Sequence, residues 1–84
     1  GLPQACAVRP VGDGPDNRAA WVPAFALPLS KGLAPNLVLP IGWFQANREL
    51  ELKLGDEVFK IRLDAVVDRG HDYHRVRFAT LAHH

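Results

Sequence analysis

The sequence predicts a single, mostly β domain: a small, partly closed antiparallel β-barrel with a three-stranded C-terminal meander. Three observations point there. The chain has 84 residues, enough for one hydrophobic core and too few for two. Apolar residues make up 48% and charged residues 23% of it, with a net charge of +1, which is the composition of a folding globular chain and not of a disordered one. After Asn47 the apolar residues recur at every second position, the period of a pleated strand with one buried face.

The elements follow in order. All seven prolines lie within residues 1–44, where each removes a backbone donor and fixes φ, so long helices are excluded and strands are confined to short pieces. Residues 1–20 read as an irregular N-terminal segment, with Gly12-Asp13-Gly14-Pro15-Asp16-Asn17 as a loop. Between Pro35 and Pro40, the run Leu37-Val38-Leu39 suits a short buried strand. This proline-rich half is expected to wrap across a frame supplied by residues 48–81.

That frame is legible residue by residue. In Arg48-Glu49-Leu50-Glu51-Leu52-Lys53-Leu54 the leucines alternate, and in Phe59-Lys60-Ile61-Arg62-Leu63-Asp64-Ala65 the apolar positions do the same. A helix over 43–54 would splay Leu50, Leu52 and Leu54 round too wide an arc. Gly55-Asp56 fits a two-residue hairpin loop. Counting outward from it sets Leu54 opposite Glu57, Leu52 opposite Phe59, Leu50 opposite Ile61, Glu51 opposite Lys60 and Glu49 opposite Arg62. A third strand, Tyr73 to Leu81, places His74, Val76, Phe78 and Thr80 on one face and Arg75 and Arg77 on the other. A four-residue loop at Asp68-Arg69-Gly70-His71 would set Val67 opposite Asp72, Asp64 opposite Arg75, Leu63 opposite Val76 and Arg62 opposite Arg77.

Chemistry-bearing residues are sparse. One cysteine, Cys6, excludes an internal disulfide and lacks a fixed base or helix start to lower its pKa, so it reads as an inert thiol. His71 and His74 lie near Asp68 and Asp72, but one histidine falls in the turn and the other on the core side, so no metal site is expected. Asp13 and Asp16 are turn residues, and no phosphate-cradling glycine motif is present. No enzyme and no cofactor are expected. The apolar stretches are too short and too interrupted by proline to span a membrane. One cysteine and the lack of a leader-like start fit a cytoplasmic protein. Gly1 reads as a processed terminus, and His83 and His84 as remnants of a purification tag.

Two surfaces stand out. Trp21, Phe25 and Trp43 cluster in the proline-rich half, where with Phe44 they close the open side of the meander or offer an apolar patch to a protein partner or a second copy. Arg62, Arg75 and Arg77 share the outer face of the meander and define a nucleic-acid face, with Tyr73 or Trp43 to stack on a base. The register shadows those cations with Glu49, Glu51 and Asp64, so a salt-paired solvated face is the expectation and nucleic acid is not the expected partner.

The order of an arginine-bearing loop, a short strand, the turn Leu29-Ser30-Lys31-Gly32, a Gly-Asp hairpin and Tyr73-His74-Arg75-Val76-Arg77-Phe78 resembles PilZ domains. These are small bacterial β-barrels, many of which bind cyclic di-GMP. The resemblance covers residues 9–81 and implies a cyclic dinucleotide as candidate ligand, with Arg9, Arg18 and Arg69 as phosphate contacts. It departs from the family's ligand signature: Arg9 and Arg18 are nine apart instead of four, Pro28 occupies the acid position before Ser30, and Leu33 stands in place of glycine. The resemblance thus implies a member that works through protein contacts. The sequence reads as a non-catalytic protein-interaction or regulatory binding module of a bacterial cytoplasmic protein, with a cyclic-dinucleotide-responsive adaptor and a weak nucleic-acid binder as the other readings.

Overall fold

The computed structural model describes residues 2–12, 20–27 and 35–83. Among these there is no helix, and six strands run in the order β1 (Gln4–Pro10), β2 (Val22–Leu27), β3 (Asn36–Pro40), β4 (Glu49–Leu54), β5 (Glu57–Arg69) and β6 (Tyr73–His83). They close into an antiparallel barrel with the neighbour order β1-β2-β3-β6-β5-β4. The barrel is therefore two three-stranded meanders, sealed by the pairing of β3 with β6 and of β1 with β4. Closure leaves each strand a neighbour on both sides, which removes most of the edge that an open sheet of this size would expose.

The interior is made by alternation. Leu50 and Leu52 of β4, Ile61 and Leu63 of β5, and Val76 and Phe78 of β6 point inward and are buried, and Val8, Ala24, Leu37 and Leu39 complete the core from the other meander. No polar or charged residue is buried among the described residues. The core is thus held by apolar burial alone, worth roughly 25 cal/mol per Å² removed from water. The connection from β3 to β4 crosses one end of the barrel, where Trp43 and Phe44 pack against the core from partly buried positions.

The β4–β5 register is the one alternation predicts, from Leu54 opposite Glu57 out to Glu49 opposite Arg62. Gly55 alone of the loop pair has positive φ, at 60°, a conformation glycine adopts without steric cost. The strand reading of 48–54 holds over the helical one, because only a pleat puts Leu50 and Leu52 on one buried face.

Two expectations need correction. Residues 4–10 are not irregular: they form β1, which pairs with both β2 and β4 and buries Val8. Its alanines carry little strand signal, and Pro10 falls at the strand's end, where a missing donor costs little. Pro23 is placed similarly, outside the β2–β3 ladder that covers only Phe25–Leu27.

The second correction is the β5–β6 register. Leu63 pairs with Phe78 and not Val76, Val66 pairs with Val76, and Arg69 with His74. Register shifts leave Asp64 and Val67 as extra residues on β5 and Leu81 as one on β6. Each bulge flips the alternation, so Val66 joins the core side after Leu63. The turn closes on His71 and Asp72, with the Gly70 N–H donating to Tyr73 O at 2.9 Å. The bulged register also removes the predicted confrontation of Arg62 with Arg77, since Ala79 now lies opposite Arg62. His83 lies in β6, its ring stacked on Phe59 at 4.4 Å and its Nε2 3.2 Å from Glu57 Oε1.

Candidate interaction surface

The outer wall of the barrel divides into two unlike halves. On β4, β5 and β6 many of the outward positions are charged, several of them paired within the sheet, with Val67, Tyr73 and Leu81 as exposed apolar or aromatic side chains among them. Lys60 Nζ lies 2.9 Å from Glu49 Oε1, and Asp64 receives Arg62 Nε at 3.4 Å and Arg77 Nε at 3.9 Å. Asp64 is also the residue left over at the Leu63/Ala65 register shift. Arg75 stands opposite Asp68. Such exposed pairs contribute roughly 0–1 kcal/mol each. Of the proposed nucleic-acid face, then, Arg62 and Arg77 share one carboxylate, and Arg75 has an acid across the ladder.

On β2 and β3 no charged residue occurs at all. Ala24, Leu37 and Leu39 fill the interior, while Phe25 and Val38 lie side by side on the outside, with Ala5 of β1 next in the same row. Phe25 is 42% exposed. Leu2 and Pro3 approach Phe25 and Val38 from the start of the chain, and the four line a shallow apolar depression of about 490 Å³. Strands that are apolar on both faces are the pattern of a sheet covered on both sides.

The other aromatic residues are more engaged. Arg9 lies over the Trp21 ring with its guanidinium carbon 4.2 Å from the centroid, and Lys53 approaches the same ring at 6.0 Å. Arg9 Nε also pairs with Glu51 Oε1 at 3.2 Å, directly across the β1–β4 ladder. Trp43 is pinned at the barrel end: its N–H donates to Pro40 O, its carbonyl accepts from Arg48, and the Arg48 guanidinium covers its ring at 5.2 Å. Of the three aromatics singled out from sequence, Phe25 is the one presented to solvent, Trp21 sits beneath two cations, and Trp43 serves the core.

The expected phosphate contacts are not gathered into one place. Arg9 sits at the β1–β4 border, whereas Arg69 lies at the far tip of the β5–β6 hairpin, beyond the point where β4 stops pairing with β5. Arg18 and the turn Leu29-Ser30-Lys31-Gly32 lie outside the described residues. The opposite mouth of the barrel holds an apolar cavity of about 240 Å³, lined by Leu52, Leu54, Phe59 and Phe78 among others, with Thr80 as a polar neighbour. Cys6 pairs with Ala24 and packs against the core, and burial pushes its thiol up to about 11, an effect that a hydrogen bond with the Ala26 backbone partly offsets. Among the described residues no three His, Cys, Asp or Glu side chains come together as metal ligands.

Sequence reading missed Leu2, Val38 and Lys53. Val38 had a signal: Val22-Pro23-Ala24-Phe25-Ala26-Leu27 and Leu37-Val38-Leu39 are unbroken apolar runs, whereas β4 and long stretches of β5 and β6 alternate with charge. An unbroken run shows that both faces avoid water, but not which neighbour covers the second one.

The geometry defines a small closed antiparallel barrel with a packed aliphatic interior and its surface chemistry on the outer wall. Within that class the chain is matched over residues 6–81 by the family model of the FimW C-terminal beta-barrel domain, and it belongs to that family. Comparison with curated proteins and with solved structures finds no match.

Proposed function

We propose that this barrel is a non-catalytic interaction module of a bacterial cytoplasmic protein, and that it engages protein through the outer face of β2 and β3. The observation that carries the reading is the division of the outer wall. Charge is abundant and in large part internally paired on one half, and it is absent from the strands that present Phe25 and Val38 on the other. An apolar face rimmed by polar surface is the usual mark of a protein contact. The test is retention of protein from the source lysate on immobilised barrel. Phe25→Glu is expected to abolish it and Lys60→Gln, on β5, to leave it unchanged; equal retention by all three forms would remove the reading.

A second reading has its own support. Arg9, Trp21 and Lys53 form a cationic and aromatic cluster on the outer wall, and the closed six-stranded barrel accords with the PilZ resemblance. On this reading the barrel is an adaptor responsive to a cyclic dinucleotide, with Arg9 a phosphate contact once released from Glu51. A ligand of the folded state raises the melting temperature. Cyclic di-GMP in excess is expected to raise it for the native sequence and not for Arg9→Ala, and an unchanged native transition counts against the adaptor.

A further inference from the structure

We infer that the uncharged β2–β3 face is a homotypic contact, in which Phe25 of one copy packs against Phe25 and Val38 of a second copy about a two-fold axis. The inference rests on the interaction reading above and names its partner.

In a two-fold contact the same patch supplies both sides, so residues near the axis face their own copies. A charged face would then set like charges together. β2 and β3 have none to oppose. The other half of the wall would have to bury Glu49, Lys60, Arg62, Asp64 and Arg77, whose partners lie within the same chain, and the desolvation of those ions would outweigh what new pairs return. Long-range repulsion between copies is slight, because the net charge is only +1.

Shape favours the same face. Phe25 is 42% exposed beside a depression of about 490 Å³ whose other walls are Leu2, Pro3 and Val38, so the ring of one copy has an apolar seat on the next. A buried aromatic in a partner's pocket is the common energetic anchor of an interface. The patch is small. Its strands have six and five residues, so with β1 it spans roughly 20 Å by 14 Å, well under the ~800 Å² per partner of a standard stable complex. The dimer is therefore weak and depends on concentration.

Sedimentation equilibrium from micromolar to millimolar chain tests it. The native chain is expected to shift from monomer to dimer as concentration rises, and to do so equally well or better when salt is added. Phe25→Glu is expected to weaken association by at least about tenfold. Val38→Glu, on the other strand, should do the same, and Lys60→Gln, on β5 and away from the patch, should have no effect. Far-UV circular dichroism checks that each variant folds, and either strand's variant suffices. A native chain that stays monomeric at millimolar concentration, a Phe25→Glu chain that dimerises as the native one does, or association that falls steeply with salt would each overturn the homotypic contact. A monomeric native chain that still retains a foreign protein through Phe25 overturns it while leaving the interaction reading in place.

Discussion

The thiol of Cys6 sits on β1 opposite Ala24 and packs against the core, and burial pushes its pKa up to about 11 from an ordinary 9.0. The thiolate is the nucleophile, so its scarcity at neutral pH protects the residue. Alkylation by iodoacetamide at pH 8 is expected to be much slower in the folded chain than in urea; equal rates would contradict the burial. The same shift bears on stability. Between pH 9 and 11 the unfolded thiol has lost its proton and the folded one has not, so raising the pH favours the unfolded chain. The contribution of Cys6 is constant below pH 9 and declines through that window. The midpoint of urea unfolding is expected to fall more for the native chain than for Cys6→Ala between pH 8.5 and 10.5. That Cys6 has no activating base beside it in the chain was legible from its alanine neighbours. That it faces the core was not, because alanine on either side gives no polar alternation to reveal the pleat.

At the scale of elements, the two hairpins of the C-terminal meander behave differently. The β4–β5 hairpin needs Gly55 for its positive φ of 60°, yet an added Cβ there meets nothing within 4 Å. In the β5–β6 hairpin, a Cβ on Gly70 would lie 2.6 Å from the backbone oxygen of Tyr73, the acceptor of its own N–H. Gly55→Ala is expected to cost about 1 kcal/mol from backbone conformation alone. Gly70→Ala must move the backbone of the turn, at roughly 1–3 kcal/mol. Thermal melts of the two variants check the order, and a Gly70→Ala chain as stable as the native one would show that the turn is looser than drawn. The first hairpin was readable because Gly-Asp sits between two clean alternations. The second was not: Asp64 and Val67 each insert a residue, and no local pattern announces the bulges that accompany Asp64 lying between Arg62 and Arg77 and Val66 lying against Val76.

The whole molecule is one closed ring of strands around one apolar core, and β1 and β3 tie the two meanders together. Neither meander keeps its inner face dry without the other, so the barrel should unfold as a unit. Trp21 reports on the outer wall at β1 and β2, and Trp43 on the end of the barrel. The fluorescence of Trp21→Phe and Trp43→Phe chains, each retaining one tryptophan, is expected to give urea transitions that coincide with far-UV circular dichroism. Separate transitions would mean that the meanders come apart independently.

The sequence by itself determined that the chain makes antiparallel strands and not helices after Asn47, and which residues of the β4–β5 ladder meet. Both follow from local period and short-range pairing, which neighbouring side chains carry. Tertiary structure alone decided that Gln4–Pro10 is a strand, that the barrel closes through β1 with β4 and β3 with β6, and that β5 bulges against β6. It also decided that Arg9 is spent on Glu51 and Trp21, while Phe25 is left in the open on an uncharged wall. Those outcomes depend on contacts between residues far apart in the chain, which are chosen by how whole strands fit round one core and leave no trace in any short window.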